Sequence, residues 1–192
     1  VSMTQLLPGI TTRSIETPRL RTAVLSAGDD NGEVVLFVHG NVSSSLFWQH
    51  TMKSVPAGYR ALAPDLRGFG DSQTAPVDAT RGLGDFADDV LALMDALDIS
   101  KAHLVGWSMG GGIVSRILLD HPERVASLTL VAPVSPYGFG GTKGLDGTPV
   151  AQDDPGTGGG TANPEFVAAL SSGDDSDSPN TARNVMNGFY FA

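Results

Sequence analysis

The sequence predicts an α/β protein with a mostly parallel, doubly wound sheet, that is, a sheet with helices on both faces. Strand-like and helix-like segments alternate along the chain from about residue 20, and such alternation is typical of parallel βαβ units. The strand-like segment 34–38 is a continuous apolar run, as expected for a strand that is buried on both faces, and 102–106 predicts another buried strand.

The first predicted elements lie between residues 20 and 64. Residues 20–27 alternate loosely between apolar and polar side chains and predict an early strand that could be antiparallel. The run 34–38 predicts a buried strand, and residues 44–55 predict a short helix that ends at Pro56. Residues 59–64 predict the next strand.

The next predicted elements are two helices with a strand between them, and a final strand. Residues 84–98 place apolar residues at helical spacing, and acidic residues are expected to fill the solvent-facing side. The run 102–106 predicts a second buried strand, and residues 110–119 predict a helix that ends at His121-Pro122. Residues 125–131 predict the last strand of this part. The acidic residues of the first helix are Asp85, Asp88, Asp89 and Asp95.

The composition of the chain changes after residue 133. Residues 133–164 are dense in glycine, proline, threonine and aspartate, as in a lid, a binding loop or a disordered linker. Two short helices are predicted at 164–170 and 179–188. We therefore expect residues 1–133 to be a core that is incomplete at its C-terminal end, and residues 134–192 to begin a lid or cap.

The charge and the apolar content of the chain limit its partners. The net charge is −9, which repels nucleic-acid phosphates and anionic lipids, so neither is an expected partner. No apolar stretch approaches the roughly 20 residues of a membrane helix, and no signal peptide is recognisable. We expect a cytoplasmic protein, with secretion left open. The absence of cysteine excludes disulfides and thiolate metal sites, and no motif indicates a metal or nucleotide cofactor.

The strongest functional signal is Gly106-Trp107-Ser108-Met109-Gly110, between a predicted strand and a predicted helix. A serine in such a turn adopts a strained backbone that exposes its hydroxyl, and flanking glycines avoid collisions with the neighbouring helix and strand. The helix N-terminus adds a partial positive charge. The motif predicts Ser108 as a nucleophile, and a glycine-rich packing turn is the alternative.

A second motif, His39-Gly40-Asn41, follows the buried strand 34–38. Gly40 lets the backbone turn sharply, which frees the next amide to point into a cavity. Acyl transfer needs two such donors where the carbonyl oxygen becomes negative, and we assign them to the backbone N–H groups of Asn41 and Met109. His39 is expected to brace the loop rather than to act as a base. Gly40 and Trp107 are expected to contact the substrate, although Trp107 could equally serve packing.

A third motif, Asp65-Leu66-Arg67-Gly68-Phe69-Gly70-Asp71-Ser72, follows the strand 59–64. Its spacing fits no phosphate-binding loop, and no Gly-Lys pair follows it. We interpret it as an internal turn in which Asp65, Arg67 and Asp71 form salt bridges, in preference to a catalytic carboxylate.

In this order, the three motifs closely resemble the α/β-hydrolase superfamily, and most nearly its esterase, lactonase and cofactor-free haloperoxidase (perhydrolase) branches. The resemblance covers roughly residues 18–133. It implies a mostly parallel sheet, a nucleophile at Ser108 and an oxyanion hole at the two assigned amides. The segment 41–45 with Trp48 also looks like the haloalkane dehalogenases, but those enzymes and the related epoxide hydrolases carry aspartate where this sequence has Ser108.

The resemblance also implies an acid and a histidine base after Ser108 in the chain. Only His121 follows, and ten helical residues would separate it from Ser108 by about 15 Å. Neither His50 nor His103 has the expected position, and residues 132–136 contain no carboxylate. We expect both groups to be absent from this chain, which would then be an inactive fragment by itself.

Three functional hypotheses follow. The first is hydrolysis of a small carboxylic ester or lactone through an acyl-enzyme at Ser108. The second is a perhydrolase, which would use the same serine to make peracids. The third is a non-catalytic binding protein of the same fold, although a binder has no use for a strained, exposed serine.

Overall fold

The computed structural model describes residues 6–137, 142–143, 148–149 and 163–189. The chain divides into two units, Val1–Gly138 and Phe139–Ala192. Most of the glycine-rich stretch for which a loop was predicted lies outside the described residues.

The first unit is built on a six-stranded sheet with the strand order β1-β2-β4-β3-β5-β6. The strands β3 to β6 are parallel to one another, whereas β1 and β2 run antiparallel. The mostly parallel sheet is therefore confirmed. The strands are β1 (Thr11–Glu16), β2 (Arg21–Gly28), β3 (Glu33–Val38), β4 (Tyr59–Pro64), β5 (Ala102–Trp107) and β6 (Val125–Val131).

The strand β1 was not predicted from the sequence. It is an edge strand whose residues are almost all exposed, and Ile15 is its one large apolar residue. Only Ile15 packs against the core, and a single apolar residue gives no hydrophobic alternation. Its pairing with β2, from Thr11 opposite Ser26 to Glu16 opposite Arg21, is a tertiary feature.

Helices cover both faces of the sheet, as predicted. Leu36 and Val38 of β3 pack in one apolar cluster with residues of α2 (Gly84–Ala96) and α3 (Met109–Asp120). Phe37 points to the other face, where it packs with Met52 of α1 (Gln49–Met52). The helix predicted over 44–55 is shorter in the structure, where a 3₁₀ turn, Ser45–Trp48, precedes α1.

A buried ion network joins α2 to the rest of the first unit, and it corrects a prediction. Asp85 and Asp89, expected on the solvent side of the helix, are only 7% and 6% exposed. Arg67, itself 6% exposed, donates to both carboxylate oxygens of Asp89 at 2.5 and 2.7 Å. Arg19 donates to Asp89 at 2.6 Å. The prediction was wrong because helical spacing does not reveal guanidinium partners 22 and 70 residues away.

The same network corrects the interpretation of the turn after β4. The turn is structural, but its salt bridges are not the predicted ones, since Arg67 pairs with Asp89 and not with Asp65 or Asp71. The Asp65 carboxylate instead accepts the backbone N–H groups of Ser45 at 2.7 Å and of Asp71 at 2.9 Å. A carboxylate that accepts two amide N–H groups fixes the turn without a cation.

The second unit contains the predicted helices, α4 (Pro164–Ser172) and α5 (Ala182–Phe189), and a short antiparallel pair, β7 (Thr142–Lys143) and β8 (Thr148–Pro149). The side chain of Asn163 caps α4 by accepting the N–H groups of Glu165 and Phe166, and Gly173 ends this helix at a positive φ of 64°. No helix among the described residues is long and apolar enough to cross a membrane.

The ion network predicts a large difference between two arginine substitutions. Arg67→Met leaves Asp89 buried with one partner fewer, and we expect a loss of about 3 kcal/mol in the free energy of unfolding. Arg116→Met removes an exposed pair with Asp120 and should cost less than about 1 kcal/mol. Urea unfolding of both variants measures the two values. Equal losses would contradict the structural importance of the Arg67–Asp89 pair.

Candidate active site

Ser108 occupies the turn between β5 and α3, at the carboxyl end of the sheet. Its backbone has a φ of 54° and a ψ of −117°, a combination that residues with a side chain rarely adopt. The strained strand-to-helix turn predicted from the sequence is therefore present. Ligands of open parallel sheets bind at the carboxyl ends of the strands, which is where Ser108 lies.

The glycines around Ser108 allow α3 to pack directly on the strands. A methyl group at Gly106 would collide with the carbonyl oxygen of Gly110, and one at Gly110 would collide with the carbonyl oxygen of Val38. Helix α3 therefore begins against the ends of β3 and β5. Met109 is its first residue, so the Met109 amide is one of the N–H groups that have no acceptor within the helix.

The loop after β3 lies beside Ser108. A methyl group at Gly40 would be 3.0 Å from Cβ of Ser108 and 3.0 Å from the ring of Trp107. This proximity places the peptide that follows Gly40, with the N–H of Asn41, next to the serine. The segments that carry both predicted oxyanion donors thus meet at Ser108, while the roles of Asn41 and Met109 themselves stay predictions.

His39 is fully buried and braces this loop. Its Nε2 accepts the backbone N–H of Leu66 at 3.0 Å, so Nδ1 carries the proton and donates to the carbonyl oxygen of Gly40 at 2.8 Å. Burial lowers the pKa of His39, against the opposing effect of the hydrogen bond to Gly40. The ring is therefore neutral at pH 7 with both nitrogens occupied, which agrees with the bracing role and leaves no lone pair for a base.

Trp107 has an aromatic partner that the sequence analysis missed. The ring of Phe47 stacks on Trp107 with a centroid distance of 4.3 Å and an interplanar angle of 12°. Phe47 nevertheless remains 50% exposed. The observed contacts of Trp107, with Phe47 and Gly40, are packing contacts, and its contact with a substrate stays a prediction. The only sequence signal for Phe47 was its place in the helix predicted over 44–55.

The other three histidines are exposed or are hydrogen-bonded to residues other than Ser108. His50 on α1 and His121 after α3 are exposed, and His121 pairs with a neighbouring glutamate. His103 on β5 hydrogen-bonds to a serine and a glutamate on adjacent strands. None of the four histidines is hydrogen-bonded to Ser108 in the described part of the chain.

The described carboxylates do not supply an acid for Ser108 either. The carboxylate of Asp65, in the turn after β4, already accepts two backbone N–H groups. The aspartates of the second unit that the structure describes, Asp174, Asp175 and Asp177, are exposed, as expected for solvated loops, whereas Asp146, Asp153 and Asp154 lie outside the described residues. Within the described ranges, no three His, Asp or Glu side chains are grouped so as to hold a metal ion.

The buried, neutral state of His39 predicts a pH dependence of stability. Because the pKa of His39 in the folded protein lies below its ordinary value of 6.5, the unfolded chain binds the proton first as the pH falls. The contribution of neutral His39 to the free energy of unfolding is therefore complete above about pH 6.5. It decreases on acidification by up to about 1.4 kcal/mol per pH unit.

Unfolding free energies of the wild type and of His39→Gln between pH 8 and pH 5 test this prediction. The substitution should remove this part of the slope, whereas His50→Gln, at an exposed histidine, should leave it unchanged. An identical slope in His39→Gln and the wild type would show that His39 does not titrate as described.

The chain is similar to known proteins of one family. Residues 33–173 match a family described as the alpha/beta hydrolase fold. The 2-hydroxy-6-oxo-6-phenylhexa-2,4-dienoate hydrolase of Burkholderia cepacia is 41% identical over 106 residues, which cover 53% of this chain and 37% of that protein. The 2-hydroxymuconate semialdehyde hydrolase of Pseudomonas sp. (strain CF600) is 35% identical over 137 residues, 70% of this chain and 47% of that protein.

A solved structure is also similar to this chain. The epoxide hydrolase VrEH1 from Vigna radiata superposes with a TM-score of 0.59 and 30% identity over 65% of this chain and 38% of that chain. The chain spans less than half the length of each of these three proteins. The family match covers most of the chain, and it includes the loop after β3, the turn after β4 and the turn at Ser108. The chain therefore belongs to the α/β-hydrolase family.

Proposed function

We propose that the protein is a serine hydrolase that cleaves carboxylic esters through an acyl-enzyme at Ser108. The observation that carries this proposal is the strained φ of 54° at Ser108, with Gly40 packed against its Cβ. This arrangement costs conformational energy, and it brings Ser108 next to the two segments that contain the proposed oxyanion amides of Asn41 and Met109. The relatives described above are hydrolases by name, which supports a hydrolytic reaction.

The proposed reaction has two steps at the same carbon atom. The Ser108 oxygen attacks the carbonyl carbon of the ester, and the carbonyl oxygen becomes negative, where the N–H groups of Asn41 and Met109 would stabilise it. A base accepts the hydroxyl proton and returns it to the departing alcohol. Water then attacks the acyl-enzyme in the same way, releasing the acid and restoring Ser108.

The acid and the base are proposed to lie outside the described residues. His39, the only histidine in the loop beside Ser108, is neutral and bound through both ring nitrogens. The chain also covers less than half of its relatives, so those proteins contain long segments that have no counterpart in the matched residues. Without a base, a serine hydroxyl is a poor nucleophile.

A second candidate reaction is the hydrolysis of a carbon–carbon bond in a 2-hydroxy-6-oxo-dienoate. Two observations favour it, namely the 41% and 35% identity to proteins whose names describe hydrolases of such or related compounds. Opening of an epoxide is disfavoured, because the aspartate that such enzymes use is replaced by Ser108.

Two assays distinguish the remaining reactions. Comparing kcat/KM for 4-nitrophenyl esters and for a 2-hydroxy-6-oxo-dienoate separates ester hydrolysis from carbon–carbon hydrolysis. Addition of peroxide to the ester assay tests for perhydrolase activity.

Labelling by a fluorophosphonate tests Ser108 directly. We expect the protein encoded by the complete gene to gain the mass of one phosphonyl group, with the adduct on Ser108. The variant Ser108→Ala should gain none, whereas Ser115→Ala, which changes a serine of α3 whose hydroxyl donates to the Gly111 carbonyl, should be labelled like the wild type. An unlabelled wild type would refute the serine-hydrolase proposal and favour a non-catalytic binding protein.

The proposed oxyanion loop predicts a selective effect of Gly40→Ala. The new methyl group, 3.0 Å from Ser108 Cβ and from Trp107, would displace the loop by a few tenths of an ångström. We expect kcat for an ester to fall by about 10²-fold with a much smaller change in KM. Gly188→Ala in α5, where a methyl group meets open space, is the control. An unchanged kcat in Gly40→Ala would contradict the placement of an oxyanion donor in this loop.

A further inference from the structure

The peptide groups on both sides of Ser108 are held by the segment that follows β6. The N–H of Ser108 donates to the carbonyl oxygen of Val131 at 3.0 Å. The carbonyl oxygen of Ser108 accepts the N–H of Val134, also at 3.0 Å. Residues 131–134 therefore hold the Ser108 N–H, and they hold the Ser108 carbonyl oxygen together with the Gly112 N–H of α3, which donates to it at 3.2 Å.

Ala132 gives the segment 131–134 its path. Its φ is 42°, in the left-handed region that residues with a side chain enter only at a cost in energy. The next residue is Pro133, and a residue before proline prefers an extended backbone, which disfavours this conformation further. A residue that carries two such penalties is held in place by its surroundings.

Those surroundings are the first turn of α3. A methyl group at Gly111 would lie 2.6 Å from Cβ of Pro133, and one at Gly112 would lie 2.8 Å from Cγ2 of Val134. The segment after Ala132 thus packs on the helix that begins immediately after Ser108. The turn at Ala132 is joined to the serine by two hydrogen bonds and to α3 by close packing.

The other strained residues give a useful comparison. Among the described residues, the non-glycine positions with positive φ are Val42, Asp98, Ser108 and Ala132. Asp98 follows the end of α2 and has a φ of 55°, an ordinary conformation for a residue just after a helix. Ala132 differs from Asp98 because it lies between Val131 and Val134, the two residues that hydrogen-bond to the backbone of Ser108.

We propose that Ala132 is a positioning residue for Ser108, and that its left-handed turn fixes the direction in which the serine hydroxyl points. The inferred effect on reactivity rests on the proposed role of Ser108 as the nucleophile, whereas the effect on the backbone of Ser108 does not. A side chain that resists positive φ at position 132 pulls residues 131–134 away from both hydrogen bonds. A residue that accepts positive φ leaves them intact.

Four variants of the protein encoded by the complete gene test this proposal. Ala132→Val introduces a β-branched residue, which is strongly disfavoured at positive φ, whereas Ala132→Gly and Ala132→Asn introduce residues that tolerate it. Asp98→Val imposes the same strain at the remote end of α2. For each variant, the measurements are hydrogen exchange at the Ser108 and Val134 amides, the rate of phosphonylation of Ser108 and the thermal midpoint.

We expect Ala132→Val to accelerate exchange at both amides and to slow phosphonylation by about 10- to 100-fold. Ala132→Gly and Ala132→Asn should remain within about threefold of the wild type, because both residues populate positive φ. Asp98→Val should lower the thermal midpoint comparably while leaving exchange and phosphonylation at Ser108 unchanged. If Ala132→Val does not fold, Ala132→Leu, which is not β-branched, should give the same pattern with a smaller effect.

Two results would overturn the proposal. One is phosphonylation in Ala132→Val that is no slower than in Asp98→Val, and the other is a loss of the same size in Ala132→Gly as in Ala132→Val. If the wild type is not phosphonylated at all, the proposed function fails. The positioning role of Ala132 is then tested by hydrogen exchange alone. In that case, amides of Ser108 and Val134 that exchange in Ala132→Val as slowly as in the wild type would refute the positioning role.

Discussion

The constraint on which the candidate site depends is the close approach of α3 to the ends of β3 and β5. A methyl group at Gly110 would collide with the carbonyl oxygen of Val38, and one at Gly106 would collide with Gly110. At this separation, the chain has only one residue in which to pass from β5 into α3. That residue is Ser108, and its positive φ is the geometric consequence of a turn with so little room.

Two of the three sequence motifs, those after β3 and β4, are joined by hydrogen bonds, and the Gly40 loop packs against Ser108 of the third. His39, after β3, connects the Gly40 carbonyl to the amide of Leu66 after β4. Asp65 in turn holds the amide of Ser45, in the segment that follows the Gly40 loop. The Asp65 carboxylate of the turn after β4 is thus engaged by backbone amides. The turn after β4 holds the loop beside Ser108 through hydrogen bonds to His39 and Ser45. This is why a structural turn accompanies the two motifs that carry the proposed chemistry.

The features that could be predicted from the sequence are those encoded locally. The buried strand β3 appears as an apolar run, and the turn at Ser108 appears as glycines between a strand and a helix. The burial of Asp85 and Asp89 could not be predicted, because it depends on guanidinium groups that are distant in sequence. The exposed strand β1 carries no apolar pattern, and nothing in the neighbours of Ala132 signals a positive φ, since Pro133 favours the opposite.

The strain at Ser108 bears on the choice between an enzyme and a binding protein. A positive φ at a residue with a side chain costs about 1–2 kcal/mol, and glycine at this position would avoid that cost. A pocket that only binds a ligand gains nothing from a serine held in this conformation, since a hydroxyl on an unstrained neighbouring residue can accept or donate equally well. A nucleophile would gain, because a hydroxyl at the start of α3 could attack a carbonyl carbon next to the two amides proposed as oxyanion donors. The proposed acyl transfer at Ser108 would therefore give one reason for three features, namely the strained serine, the turn at Ala132 and the braced loop at Gly40.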